Sequence, residues 1–147
     1  MISATVTLTQ PQGNNRQFVA TSGTGHHLLI DDPAGNTGAK PIELVAIALG
    51  GCTAFDVINV LRKKRQQVTA YEVKVEAEQA PDPPQVFTTV HIHHVVTGIG
   101  VSPQAVEDAI RLSEEKYCSV GAMVQKSAEL HTTFAVVQAT EAVLVEA

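Results

Sequence analysis

The chain has 147 residues, near the size of one domain, and 44% of them are hydrophobic, enough to bury a core. A net charge of −5 argues against nucleic acid and anionic membrane surfaces as partners, and the basic run Arg62, Lys63, Lys64, Arg65 is too small a footprint to reverse that. Only 17% of the residues are charged, a thin polar surface for a monomer, which points to an extensive interface. The segment Met1–Gln10 carries neither the basic nor the apolar stretch of a secretory signal, so a cytoplasmic location is expected. Cysteines there stay free unless they cycle through a transient catalytic disulfide.

Ser3 to Thr9 sets Ala4, Val6 and Leu8 against Thr5, Thr7 and Thr9, the alternation of a half-buried strand. Gln17 to Thr21 and His27 to Ile30 read as two further strands, followed by a loop over Asp31 to Gly38. A long helix spans Ile42 to Leu61, with Pro41 suited to its first position and Glu43 to the positive end of its dipole. It is apolar nearly all the way round. Its length would suit a bilayer, but Glu43, Asp56, Asn59 and the pair Gly50-Gly51 argue against a membrane span. A helix apolar on every face must be covered on every face, by a sheet on one side and a second subunit on the other, so a homodimer is predicted.

Val68 to Ala80 and Val86 to Val96 alternate again, joined by the turn Pro81-Asp82-Pro83-Pro84. Ser102 is a good N-cap for a second helix that runs to about Cys118. Gly121 to Ser127 suggests a short third helix capped by Ser119, and His131 to Val137 a last strand. The predicted class is α+β, with one domain over residues 1–137 and a tail over residues 138–147 that lacks periodicity.

The only two cysteines carry the candidate chemistry. Cys52 follows two mid-helix glycines that cost about 1 kcal/mol each against alanine and so need a reason. Cys118 lies at a helix junction, where the dipole of the next turn would favour a thiolate. Either could equally be a small core hydrophobe. As a pair they match the inventory of a thiol peroxidase: one thiolate becomes a sulfenic acid, the second condenses with it, and no metal or organic cofactor is needed. Asp56, one turn after Cys52, would oppose a thiolate if it pointed at the sulfur, so an activating cation must come from Arg16, Lys40 or a histidine. His91 and His93 share one strand face, with His94 on the other, and His26-His27 precede a strand. No Asp, Glu or Cys partner stands at a standard metal spacing to these histidines, so no metal is expected.

Pro41-Ile42-Glu43-Leu44 and Ala48-Leu49-Gly50-Gly51-Cys52 resemble the P-E-x-L … A-x-x-x-C helix of the OsmC/Ohr family. Glu115-Lys116-Tyr117-Cys118-Ser119 is similar to the segment around that family's second cysteine, and Val96-Thr97-Gly98 to the end of the strand between them. The order of elements matches over roughly residues 1–137, nearest to the divergent Gly-Gly-Cys branch. The resemblance implies an intertwined homodimer, its long central helices packed against antiparallel sheets. It further implies Cys52 as peroxidatic nucleophile, Cys118 as resolving thiol, and Arg16 with Glu43 as the activating pair. Organic hydroperoxides would be the substrates and a dithiol the reductant, in oxidative stress defence. The sequence departs from the family at Ile42, where the family's Glu directly follows the Pro, and at Ser119, where it has a second Pro. A one-residue offset turns a helical side chain by about 100°. Two other functions suit the same residues: a non-enzymatic protein binding a small hydrophobic ligand at the dimer interface, and a thioesterase with Asp56 as base.

Overall fold

The computed structural model describes residues 1–139, and the expected tail beyond them lies outside the described residues. The chain forms two compact units, Met1–Val45 and the residues from Ala46 onward.

In the first unit, β1 (Ala4–Leu8), β2 (Phe18–Ser22) and β3 (His27–Ile30) make an antiparallel sheet in that order. The loop after β3 is held by the buried Asp31 carboxylate. It accepts from the Thr37 hydroxyl, from Thr37 N at 3.0 Å and from Asp32 N at 2.7 Å. The Thr37 hydroxyl bond is the main cause holding Asp31 below the ordinary carboxylate range, against a smaller opposing effect of burial.

The long helix α1 (Pro41–Lys63) begins as predicted. Glu43, three residues beyond Lys40, accepts from the Lys40 backbone N–H at 2.8 Å, one half of a capping box. At the other end Arg65 adopts a positive φ of 57°, and Gln66 N donates to Leu61 O at 2.9 Å, closing the helix.

The second unit holds the rest of α1, the hairpin β4 (Gln67–Gln79) and β5 (Phe87–Ile99), the helices α2 (Pro103–Leu112) and α3 (Ser119–Val124), and β6 (Glu129–Gln138). β4 and β5 are antiparallel, but β6 joins β5 in parallel, so this sheet is mixed rather than antiparallel as expected. The long helical crossover makes the parallel return possible. The core gathers Val57 and Leu61 of α1, Val96 of β5, Val101, and Val106, Ala109 and Ile110 of α2. By length and a mean hydropathy of 2.0, α1 could cross a bilayer; its Val57–Leu61 stretch packs in this core instead.

Ser102 caps α2 as predicted, its hydroxyl accepting from Ala105 N at 3.3 Å. Ser102→Ala is expected to lower stability by about 1 kcal/mol, read as a shift in the urea midpoint at constant slope.

The second helix ends at Cys118 as expected, but its last turn, Ser113–Tyr117, is a single π-turn, where Cys118 N donates to Ser113 O at 2.8 Å. One expectation in this crossover needs correction. The cap of α3 is Cys118 and not Ser119. The thiol Sγ accepts from Gly121 N at 3.2 Å.

Candidate active site

α1 and the π-turn bring the two cysteines together. Cys52 Sγ, Cys118 Sγ and an Asp56 carboxylate oxygen lie within 4.8 Å of one another. Cys52 and Asp56 are four residues apart and so share a helix face, while Cys118 arrives from the end of the π-turn. Ser113, fully buried, donates from Oγ to Asp56 Oδ2 at 2.9 Å and shares a second hydrogen bond with Thr53 Oγ1 at 3.1 Å. The widened turn therefore sets both the serine that orients the carboxylate and the thiol beside it. π-turns of this kind recur at functional sites.

Both thiols are free. The Cys118 thiol is held above its ordinary pKa, first by burial and then by its hydrogen bond to Cys52, with the Cys52 and Asp56 charges adding to the effect. The Gly121 N–H works the other way, as the sequence suggested for this junction, but is outweighed. Asp56 does point at the sulfurs, the unfavourable case anticipated from its spacing.

Of the expected activating residues, Arg16 Nε pairs with Asp32 Oδ2 at 3.0 Å, and Glu43 caps α1. Both belong to the first unit and the cysteines to the second. Among the described residues, Asp56 takes part in no ion pair.

A cavity of about 220 Å³ opens beside Cys118, lined by Leu49, Thr53, Ile92, Leu130, Glu114 and Thr132 among others. Thr132 donates to the Glu114 carboxylate at its rim. Gly121 also lines it: a Cβ there would lie 3.1 Å from Cys118 Sγ, so a side chain would press on the thiol. Gly50 has a similar reason, since its Cβ would come within 3.1 Å of Val75 on β4. A close approach of β4 thus accounts for the first of the two mid-helix glycines.

The profile of the OsmC-like protein family matches residues 34–133. The chain belongs to the OsmC-like family. It is 40% identical to Protein YhfA of Escherichia coli over 122 residues, 83% of this chain and 91% of that one. A hypothetical protein from Aquifex aeolicus superposes with a TM-score of 0.84 at 27% identity, over 95% of this chain and 98% of the other. An organic hydroperoxide resistance protein OsmC from Legionella pneumophila, a predicted redox protein, has the same fold, with a TM-score of 0.67 at 15% identity over 92% and 97%. Within this OsmC-like chain, sequence reasoning singled out both cysteines but missed Ser113, Thr53 and Glu114. The four-residue spacing of Cys52 and Asp56 was the one available signal for the cluster.

The histidines divide differently. His91 is exposed and stacks on His131 with ring centroids 5.4 Å apart, and His93 Nδ1 meets Thr133 Oγ1 at 2.7 Å. His94 is fully buried, with Nδ1 2.7 Å from the Tyr71 hydroxyl and Nε2 without a hydrogen-bond partner among the described residues. Burial, and secondarily the charge of His93, lowers its pKa to about 4.

Proposed function

We propose that this OsmC-like protein is a thiol-dependent peroxidase that reduces organic hydroperoxides. The observation that carries it is the pair of free thiols, Cys52 and Cys118, whose sulfurs lie within 4.8 Å of one another, with Cys118 lining a small cavity. The Cys52 thiolate attacks the outer peroxide oxygen, forming the sulfenic acid as the O–O bond breaks and the alkoxide leaves to take a proton. Cys118 then attacks Cys52 sulfur. Its thiol proton leaves with the sulfenic hydroxyl as water, and a disulfide remains. A dithiol reductant regenerates both thiols by exchange. The cavity is below the roughly 300–1,000 Å³ of a usual ligand pocket, which favours a small alkyl peroxide over a bulky bound ligand within one chain. Free thiols at this spacing persist between turnovers in the reducing cytoplasm, where we place the protein.

Arg16 and Glu43 keep the activating roles that the family resemblance implies. The Arg16–Asp32 pair is exposed on the Arg side, where solvent screens it.

The test is to treat the reduced protein with an organic hydroperoxide and follow free thiols and intact mass. Loss of both thiols with a mass decrease of two protons supports the reading, and thiols untouched by excess peroxide sink it.

We also propose that the protein works as a homodimer through α1. Ile47, Gly51 and Phe55 form an exposed stripe at four-residue spacing, with Phe55 78% exposed. Beside it, Ala46, Gly50, Gly51 and Ala54 leave a groove of about 440 Å³ against Tyr71, Val73 and Val75. Covering one such phenylalanine stabilises by about 1.5–3 kcal/mol, and a second helix in the groove would explain why Gly51 carries no side chain. Phe55→Glu is expected to convert the dimer to monomer in light scattering; an unchanged mass would count against this surface.

A further inference from the structure

We propose that Cys52, Cys118 and Asp56 form a three-donor site for a thiophilic divalent cation, zinc above all, which holds the thiols in a peroxide-inert state. The donor atoms already lie within 4.8 Å of one another. Two sulfurs on one tetrahedral zinc lie about 3.8 Å apart, given Zn–S bonds of about 2.3 Å, so closing the site takes an adjustment of about 1 Å or less. Two thiolates and a carboxylate are a donor set that zinc accepts, with the fourth position left to water.

The surroundings are those of a metal site in two further respects. Ser113 Oγ, buried and tied to Thr53, fixes Asp56 Oδ2 at 2.9 Å, the outer support that ligating carboxylates need. The cavity that reaches Cys118 carries Glu114 at its rim, which gives a cation an acidic entry path. Moreover, the cluster has no counter-cation: Asp56 is in none of the ion pairs among the described residues. Binding releases the two thiol protons to solvent, so the metal with its three ligands carries one net negative charge in place of Asp56's own. The site shares its cysteines with the proposed peroxidase but does not depend on that activity.

The test is anaerobic titration of the reduced, metal-free protein with Co²⁺ and then Zn²⁺. It follows thiolate-to-cobalt absorption and competition with a chromogenic chelator. One metal per chain is expected, with the charge-transfer band lost in Cys52→Ser. Binding should weaken by about 10-fold or more in Asp56→Asn and in Ser113→Ala, two variants that keep both thiols. Ser113→Ala serves as the readout should Asp56→Asn fail to fold. Equimolar Zn²⁺ should also shield both thiols from peroxide until a chelator is added. No saturable uptake by the parent protein, or equal affinity in the folded variants, would overturn the site. The metal-free samples are exposed to peroxide in parallel: uptake of cobalt by a protein whose thiols ignore peroxide supports the metal site while removing the peroxidase.

Discussion

Cys52→Ser is expected to abolish hydroperoxide reduction, a loss of roughly 10³-fold or more, because the one other thiol at this site, Cys118, is buried and held protonated and so is a poor first nucleophile. Cys118→Ser should behave differently. Its first oxidation proceeds, since Cys52 still attacks the peroxide, but the sulfenic acid then has no neighbouring thiol to condense with. It accumulates and can be trapped by a dione reagent, one adduct per chain, while multiple turnover with a dithiol slows. The contrast depends on the geometry: Cys118 is buried, within 4.8 Å of Cys52 sulfur and held protonated by its surroundings. It therefore suits a thiol that attacks second and gives up its proton as water forms. Equal loss of the first oxidation in both variants would reverse or merge the assigned roles.

The second large effect concerns stability, and it rests on His94. In the folded protein this imidazole takes a proton only near pH 4, against about 6.5 when unfolded. Between those values the unfolded chain binds more protons than the folded one, so acid favours unfolding. Stability should be fully present above about pH 6.5 and fall by about 3 kcal/mol on descending to pH 4. Carboxylates held below their ordinary values, Asp31, Asp32 and Asp108, begin to add to the loss only below about pH 5, so the upper part of this window belongs to the histidine. Urea midpoints at pH 7 and 4.5 measure the effect. His94→Phe should flatten the slope even though it loses the Tyr71 bond, and a slope unchanged in that variant would assign the acid sensitivity elsewhere.

Much of the framework was legible because β4 and β5 alternate where they are half-buried and α1 is apolar where it meets the core; β1 alternates as well, but it is exposed at every position except Leu8, so its expected half-burial is not seen. The cap at Ser102 was readable for the same local reason, whereas Glu43 is expected only as a dipole charge and its bond to Lys40 N emerges from the structure. His94 shares strand parity with Ile92 and Val96, both buried, so its burial was within reach of a pattern that also put His91 and His93 on the outer face. Other features have no local signature. The residues Ser113–Tyr117 look like ordinary helix, and nothing in their local sequence marks the wider turn that brings Ser113 to Thr53 and Asp56 of α1. Strand direction leaves no mark on a period of two, which is why the parallel return of β6 went unread. At the site, helix spacing joined Cys52 to Asp56, but the arrival of Cys118 and Ser113 beside them is tertiary, more than fifty residues away in sequence.

The sulfur that caps α3 is also one that the proposed chemistry consumes. When Cys118 turns toward Cys52 to form a disulfide, Gly121 N–H loses or lengthens its bond to that sulfur, and the first turn of a six-residue helix loses its only side-chain anchor among the described residues. Amide hydrogen exchange at Gly121 would then track the oxidation state, slow in the dithiol and faster in the disulfide. The backbone would so carry a local record of what the thiols have done.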